Sequence, residues 1–343
     1  MGVKIGPIIR DLKIGREIDI TYLEGKKIAI DALPTIYEML ATIRDQKGGY
    51  LHDSKGRITS HLVGLFNRTA RMLANGIKPI FVFDGPPHPL KMRELEIRKE
   101  RKEEAFQKYL EAVNKGDFIA AKKYAKQAMS VTDELVKTAK QLLKLFGVPI
   151  IEAPHDGEAQ AAFIVNNNDA FAVSSSDYDS FLFGANKVVR NLKMAAQKKE
   201  VPMIYELEEL LSKLNITREQ LIDIALLLGT DYNPGGVPGI GPKKALEIIR
   251  KYGSIERAIN SGVINWNFDI EVHELKEIFL NPPINKDYEI NFSEPRYDEI
   301  IALLTEEFDF SRNRVEKELN DIKKRLEREK RSGVQSSLDV FFG

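Results

Sequence analysis

Several short apolar runs in this sequence end at acidic residues or are followed closely by them. The acids at these positions are Asp31, Asp84, Asp177 and Asp179, and two more, Asp156 and Glu158, follow the run Val148–Glu152. We interpret the runs as strands, because short apolar segments bounded by turn residues are typical of buried strands. Sites in open α/β sheets form at the carboxyl ends of the strands, so these carboxylates are expected at one edge of a sheet.

Carboxylates that share a small volume repel one another unless protons or cations neutralise them. The sequence has no cysteine and five histidines, so we expect a site of oxygen ligands, which favours Mg²⁺, with Mn²⁺ as an alternative. Two such ions about 4 Å apart activate a water molecule and stabilise the leaving oxygen of a phosphodiester. Taken singly, the acids have ordinary alternatives, since Asp84-Gly85 is typical of a turn and Asp156 suits a helix N-cap.

Two of the acids, Asp177 and Asp179, are separated by one residue in what reads as extended sequence. Extended backbone sends alternate side chains to opposite sides, so both carboxylates would face one way and Tyr178 the other. Asp231 is a candidate seventh carboxylate, because it stands at the start of a loop that could reach the same site.

This loop, Thr230–Gly241, is rich in glycine and proline and joins two predicted helices, Arg218–Gly229 and Pro242–Tyr252. Its glycines allow another backbone to approach, and the free amides at the start of the second helix form an anion site. The residues that would make this contact are Gly239, Gly241, Lys243 and Lys244. We interpret the unit as a helix-hairpin-helix (helix-two-turn-helix) element that grips duplex DNA without reading its sequence. An ordinary glycine-rich turn is the alternative.

The elements that position these residues alternate between strands and helices. The predicted strands are Lys27–Asp31, Ile80–Asp84, Val148–Glu152, Ala170–Ser174 and Val188–Leu192, and helices are predicted over Thr59–Asn75, residues 91–144 and Ala159–Val165. Such alternation implies an α/β fold with a mostly parallel central sheet flanked by helices.

The charges of the chain balance, with 51 basic and 51 acidic residues, so a uniformly basic nucleic-acid coat is excluded. The charges are nevertheless separated along the chain. Residues 91–144 contain 14 basic and 9 acidic side chains, whereas residues 269–309 contain 3 basic and 12 acidic ones. No apolar run approaches the length of a membrane span, so we expect a soluble, cytoplasmic protein without a membrane partner.

Six stretches of the sequence carry a resemblance to a known family. They are Ala29-Ile30-Asp31-Ala32, Thr59-Ser60-His61-Leu62, Val82-Phe83-Asp84-Gly85, Asp156-Gly157-Glu158-Ala159-Gln160-Ala161-Ala162, Asp177-Tyr178-Asp179-Ser180 and Gly229-Thr230-Asp231-Tyr232-Asn233. In this order and spacing the chain resembles flap endonucleases of the archaeal and eukaryotic type, which are structure-specific 5′ nucleases of DNA replication and repair. It departs from the family at Asp156, where a glutamate is usual.

The resemblance implies roles for individual residues. A site for two Mg²⁺ ions would comprise Asp31, Asp84, Asp156, Glu158, Asp177, Asp179 and Asp231. Lys91 and Arg98 would reach the scissile phosphate, and their spacing of seven places them on one helix face; a solvated charged face is the alternative. Tyr37 looks like the aromatic residue that stacks on a base near the cut, although a half-buried helix tyrosine is the commoner case. In relatives the hairpin also holds K⁺.

The end of the chain resembles the motif that docks on the replicative sliding clamp. Gln335, Leu338, Phe341 and Phe342 have the anchor spacing of this motif, which places one aliphatic and two aromatic side chains in a pocket. A frayed terminus is the alternative. Ser332-Gly333 is predicted to break the preceding helix, and no basic nuclear-targeting extension follows the motif, which favours an archaeal protein.

Together these features predict five segments and one activity. The segments are an N-terminal nuclease segment (1–100), a helical arch and connecting region (101–145), an internal nuclease segment with the helix-hairpin-helix element (146–260), a C-terminal helical and acidic region (261–331) and a clamp-binding tail (332–343). The predicted activity is 5′-flap endonuclease with 5′–3′ exonuclease action, from a chain that is a monomer on its own. Two other classes are weighed against it: a non-catalytic DNA-binding scaffold tethered to the clamp, and a small-molecule phosphatase with an aspartate nucleophile.

Overall fold

The computed structural model describes residues 5–45, 48–128, 130–192 and 201–342. Within these residues the centre of the molecule is a seven-stranded sheet with the strand order β1-β7-β6-β5-β2-β3-β4. The strands are β1 (Arg16–Glu17), β2 (Lys27–Asp31), β3 (Lys78–Phe83), β4 (Ile150–Glu152), β5 (Ala172–Ser174), β6 (Lys187–Arg190) and β7 (Met203–Glu206). From β6 to β4 all neighbours are parallel, and β7 and β1 extend the β6 edge in antiparallel pairing.

The predicted fold class is confirmed, because the sheet is mostly parallel and flanked by helices. All five predicted strands are present, with somewhat different bounds. The antiparallel strands β1 and β7 were not predicted. The two residues of β1, Arg16 and Glu17, are both exposed, so no burial pattern marks them in the sequence.

Fourteen α-helices accompany the sheet in the described part of the chain. They are α1 (Gly6–Asp11), α2 (Ala32–Thr42), α3 (Ser60–Ala74), α4 (Met92–Asn114), α5 (Phe118–Gln127), α6 (Asp133–Leu145), α7 (Gly157–Asn166), α8 (Leu207–Leu214), α9 (Arg218–Leu228), α10 (Pro242–Tyr252), α11 (Ile255–Asn260), α12 (Val272–Leu280), α13 (Tyr297–Ala302) and α14 (Arg312–Phe342).

The two faces of the sheet pack into separate cores, as the alternation of side chains along a strand requires. In β2, Ala29 faces the core that contains residues of α7, α9, α10 and α12. Its neighbours Ile28 and Ile30 face the other core, which contains residues of α2, α3, α6 and α14. Both faces of β2 are therefore buried, which is the reason that it reads as a continuous apolar run.

The basic helical region divides into two parts. Helices α4 and α5 pack against each other, and none of their described residues belongs to either core. Helix α6, in contrast, is amphipathic and buries Leu142 and Leu143 in the core on the α3 side. The last part of the segment predicted as an arch, residues 133–145, thus packs within the body of the molecule.

The loop between α9 and α10 has the predicted helix-hairpin-helix arrangement. Gly229 and Gly236 approach so closely that a Cβ atom at Gly229 would lie 2.5 Å from the Gly236 amide nitrogen. The loop is closed from inside by Asn233, which is buried and accepts hydrogen bonds from the amide and hydroxyl of Thr230 at 3.0 and 2.7 Å. The first half of this loop is therefore held rigidly.

Two local predictions are wrong. Asp177-Tyr178-Asp179 is not extended, because Tyr178 has φ −103° and ψ 5° and a 3₁₀ turn begins at Asp179. Burial of the Tyr178 ring against Phe181 and Tyr205 accompanies this turn. The predicted break at Ser332-Gly333 is also absent, since α14 continues to Phe342. A glycine costs a helix only about 1 kcal/mol relative to alanine, which does not by itself end one.

None of the helices in the described part of the chain is long and apolar enough to cross a membrane.

Candidate active site

Six of the seven predicted acids lie at or shortly after the carboxyl ends of β2, β3, β4 and β5, where the order of the strands in the sheet reverses, and Asp231 follows α9. The chain proceeds from β2 to β3 and β4 on one side, and β5 and β6 lie on the other side of β2. Asp31 is the last residue of β2, Asp84 directly follows β3, and the N-terminus of α7 lies beside them. A switch point of this kind forms a crevice at the strand ends.

Gly157 fixes the closest part of this crevice. Its backbone amide donates a hydrogen bond to Asp84 Oδ1. A Cβ atom at this position would lie 2.8 Å from Asp84 Oδ1 and 3.2 Å from Asp31 Oδ1. Only glycine therefore lets the start of α7 approach both carboxylates, and the motif Asp156-Gly157-Glu158 contained this signal. Asp156 is the N-cap residue of α7, but its side chain makes no capping hydrogen bond.

The buried acids carry strongly perturbed pKa values. Burial, with repulsion from Asp84 and Glu158, raises the pKa of Asp31 well above its usual range. Burial also raises the pKa of Asp84 to about 6. The pKa of Glu158 is raised to about 8, first by burial and then by the charge of Asp179. In each case burial is the largest cause, and at Asp31 and Asp84 the nearby charge of Lys91 offsets only part of the upward shift.

Glu158 is held by two hydroxyl groups that the sequence pattern did not single out. Ser175 Oγ donates to Glu158 Oε1 at 2.9 Å, and Ser180 Oγ donates to the same oxygen at 3.1 Å. Ser175 Oγ in turn accepts the backbone amide of Asp177 at 3.1 Å. Helix α7 is thereby tied to the loop that carries Asp177 and Asp179.

The two predicted cations from the basic segment reach the acids. Lys91, which directly precedes α4, forms an ion pair with Asp156, and their side chains are each 19% exposed. Burial lowers the pKa of Lys91, but the charge of Asp156 outweighs it and the net shift is upward. Arg98, on α4, pairs with Asp231 Oδ1 at 2.6 Å.

Tyr232 is a further site residue without a predicted role. Its hydroxyl donates to Asp156 Oδ2, and its ring lies 4.7 Å from the Lys91 amine. Tyr232 directly follows Asp231 in the motif Gly229-Thr230-Asp231-Tyr232-Asn233, and this position was the signal in the sequence that could have marked it as a site residue. The predicted stacking residue Tyr37 lies on α2, where Lys102 Nζ donates to its hydroxyl at 3.2 Å. This contact connects α2 to α4.

The chemistry of the candidate metal ligands suits a hard divalent cation. They are carboxylate oxygens, and Asp31 Oδ1 is buried without a hydrogen-bond partner in the described part of the chain. They do not stand as a ready-made cage, since among the described residues no group of three or more acids or histidines is already arranged to hold an ion. Positive charge inside the cluster comes from Lys91 and Arg98.

The hairpin residues face outward. Gly239 and Gly241 are exposed, and a Cβ atom at either would meet no atom within 4 Å. Lys243 and Lys244 are exposed in the first turn of α10. In the tail, the side chains of Gln335, Leu338, Phe341 and Phe342 lie outside the described part of the structure.

Two family models match this chain. The XPG N-terminal domain matches residues 1–105 and the XPG I-region matches residues 147–231. These regions contain β2 to β5, Lys91, Arg98 and all seven acids. The fold and the site therefore define a nuclease of the XPG class, an enzyme that hydrolyses phosphodiester bonds.

Individual relatives narrow the class. The chain is 48% identical to flap endonuclease 1 of Pyrococcus abyssi over 351 residues, which covers 100% of this chain and 98% of that protein. The solved flap endonuclease-1 from Methanococcus jannaschii superposes with a TM-score of 0.73 at 41% identity, covering 96% of this chain and 100% of that one. The catalytic core of Rad2 in complex with DNA substrate superposes with a TM-score of 0.74 at 25% identity, covering 94% of this chain and 100% of that one.

The chain belongs to the flap endonuclease 1 family. It is a structure-specific nuclease that acts on flap DNA, and nucleases of this family depend on divalent metal ions. The alternative of a non-catalytic scaffold is not favoured.

Proposed function

We propose that the seven acids hold two Mg²⁺ ions, or Mn²⁺ in their place, and that the chain cuts 5′-flap DNA at the junction of single and double strands. The observation that carries this proposal is the buried, unpartnered Asp31 oxygen among acids whose pKa values are raised. When bound, the ions supply an activated water molecule and stabilise the leaving oxygen. The products are expected to carry 5′-phosphate and 3′-hydroxyl ends.

Lys91 and Arg98, the two cations of the basic segment, act on the scissile phosphate. Lys91 and Arg98 start from ion pairs with Asp156 and Asp231, so both lie within one side-chain length of the acids. With Asp156 and Asp231 holding metal, Lys91 and Arg98 would be available to the non-bridging oxygens of the scissile phosphate. Charge-assisted hydrogen bonds of this kind are most effective where charge develops in the transition state.

The DNA path follows from the outward-facing groups. The duplex contacts the hairpin, where Gly239 and Gly241 leave room for its backbone and Lys243 and Lys244 add positive charge. K⁺ held by hairpin carbonyls is part of this contact. Tyr37 stacks on a base beside the cut, and the 5′ strand passes along α4 and α5. The same path supports 5′–3′ exonuclease action at a recessed end.

The tail connects the nuclease to replication. Gln335, Leu338, Phe341 and Phe342 dock on the sliding clamp, and the nuclease itself is a monomer that acts in the cytoplasm at the nucleoid. The five segments predicted from the sequence remain our proposed division of the chain, with the clamp-binding tail as the last of them.

One assay tests the proposal against its rivals. A 5′-labelled flap duplex is incubated with the protein in Mg²⁺, in Mn²⁺ and in excess chelator, and the products are mapped to the nucleotide. We expect incision at the junction with either metal and none with chelator. Binding without incision would instead support the scaffold, and phosphate release from small esters without incision would support the phosphatase.

A further inference from the structure

We propose that Ser175 and Ser180 are positioning residues that orient Glu158, so that one oxygen is locked by hydroxyl groups and the other is presented to a metal ion. This inference rests on the proposed metal site. It adds two residues that are neither acids nor cations, and it assigns them a function through Glu158.

The two hydroxyl groups converge on one atom. Ser175 Oγ and Ser180 Oγ donate to Glu158 Oε1 at 2.9 and 3.1 Å. No hydrogen bond to Oε2 is present among the residues that the structure describes. A carboxylate has about four lone-pair positions, so two donors on Oε1 restrict the rotation of the group while Oε2 keeps its capacity to bind a cation.

The same serines set the separation of the acids. Ser175 accepts the amide of Asp177 at 3.1 Å, so it links Glu158 on α7 to the backbone of the loop after β5. Ser180 follows Asp179 within the 3₁₀ turn and is fully buried. Three acids from two elements are therefore connected through two hydroxyl groups.

A purely structural role would leave a different pattern. Serine hydroxyls in turns usually bond to nearby backbone groups. Ser175 makes one such local bond, with the amide of Asp177, but both hydroxyls also donate to a side chain at least 17 residues away in sequence. Ser176, which lies between them, provides the contrast, because its hydroxyl makes no hydrogen bond within the described residues while its carbonyl accepts Arg190 at 3.1 Å.

The test measures Mn²⁺ binding to the free protein by electron paramagnetic resonance, without DNA. Ser175→Val and Ser175→Thr introduce side chains of the same shape that differ only in the hydroxyl group. We expect Ser175→Val and Ser180→Ala to bind Mn²⁺ roughly 10-fold more weakly, as is typical when a partner of a metal ligand is lost. Ser175→Thr and the control Ser176→Ala are expected to stay within about 2-fold of the wild type.

A second background shows whether the serines act through Glu158. In Glu158→Gln the serine substitutions are expected to lose most of their effect on Mn²⁺ affinity, because the group that they orient is no longer an anion. Thermal unfolding of each variant verifies that the fold is retained, and if Ser180→Ala is unstable the Thr/Val pair at position 175 decides alone.

The possible outcomes distinguish a failure of the positioning role from a failure of the proposed metal site. If the wild type binds Mn²⁺ and Ser175→Val binds it equally well, the positioning role is wrong and the metal site stands. The role is also wrong if the effect of Ser175→Val persists unchanged with Gln at 158. If the wild type and Ser176→Ala bind no Mn²⁺ at all, the proposed metal site itself fails.

Discussion

At the scale of single residues, the site is a set of anions that are costly to bring together. Asp31, Asp84 and Glu158 are largely buried and have raised pKa values, so their ionised forms are disfavoured in the folded chain. The three carboxyl groups nevertheless stay close together, because the strand ends and the N-terminus of α7 hold them in place. Such a cluster is poised to bind cations, and small changes in its geometry should affect catalysis more than folding.

The first prediction concerns Gly157. In Gly157→Ala the new methyl group would lie 2.8 Å from Asp84 Oδ1, so the carboxylate must move. A displacement of about 1 Å at a reacting centre is enough to reduce kcat roughly 100-fold. Single-turnover cleavage of a flap duplex measures the effect, and thermal unfolding is expected to change little. A variant with wild-type turnover would show that the approach of α7 to the acids is not required.

The second prediction separates catalysis from binding at Lys91 and Arg98. Replacing either with alanine removes a cation that pairs with Asp156 or Asp231. We expect kcat at saturating DNA to fall at least roughly 10-fold more than the affinity, because these groups act mainly in the transition state. Lys99→Ala, at an exposed position of α4, is the matched control. Equal losses in rate and affinity would make both residues simple phosphate anchors.

At the scale of elements, the hairpin between α9 and α10 differs in role from the contact between α3 and α6. The first half of the hairpin is closed by Asn233 and by close glycine contacts, whereas its second half is open. Helices α3 and α6 form part of the core, where His61 Nε2 and Thr138 Oγ1 lie 2.8 Å apart. The open half of the hairpin is therefore available to DNA, and the α3–α6 contact contributes to stability.

The third prediction concerns the hairpin. The double substitution Lys243→Ala with Lys244→Ala is expected to weaken binding to any duplex and to reduce the slope of log affinity against log salt by about 2. Fluorescence anisotropy at several salt concentrations measures both quantities. Lys251→Ala, in the last turn of the same helix, serves as the control. An unchanged slope would mean that this end of α10 does not contact phosphate.

The fourth prediction is the pH dependence of stability through His61. Burial lowers the pKa of His61 from 6.5 to about 4, so the imidazole is neutral in the folded chain. As the pH falls from about 6.5 to about 4, the unfolded chain binds a proton that the folded chain does not, and stability decreases by up to roughly 3 kcal/mol. Above about pH 6.5 this contribution is fully present.

Urea unfolding at a series of pH values from neutral to about pH 4.5 tests this prediction. His61→Phe removes the titrating ring and should give a shallower decline of the unfolding free energy than the wild type, whatever its stability at neutral pH. His273→Phe, at an exposed position of α12, is expected to keep the wild-type slope. Parallel curves for His61→Phe and the wild type would exclude His61 as a source of acid sensitivity.

At the scale of the whole molecule, charge is distributed between separate segments although the total is zero. The basic segment forms α4, α5 and nearly all of α6, and the acidic segment forms α12, α13 and the chain between them. This intervening chain is bound to the body, since Gln160 exchanges two hydrogen bonds with the backbone of Asn285 at 2.8 and 2.7 Å. The acidic region thus contacts the helix that carries Glu158.

The fifth prediction concerns the tail. Phe341→Ala with Phe342→Ala is expected to abolish stimulation of cleavage by the sliding clamp, because two aromatic anchors are lost from a short docking motif. Basal cleavage without the clamp should stay within about 2-fold of the wild type, since the tail contributes none of the seven acids and neither of the two cations of the proposed site. Flap cleavage with increasing clamp concentration gives both values. Full stimulation of the double variant would exclude the tail as the docking segment.

The sequence by itself determined the kind of site and the class of fold. The acids that follow buried apolar runs, together with the rule for parallel sheets, were enough to place Asp31 and Asp84 at one edge of the sheet. Glycine and proline, which restrict the backbone locally, marked the bounds of α10 correctly. These features depend on near neighbours in the chain, so local patterns reveal them.

Only the tertiary structure decided how distant groups meet. The pairing of Lys91 with Asp156 joins residues 65 apart, and that of Arg98 with Asp231 joins residues 133 apart. The turn at Tyr178, the hydroxyl groups on Glu158 and the edge strand β1 also depend on partners from other elements. No local pattern encodes such contacts, because their energy comes from burial and charge that exist only once the chain has folded.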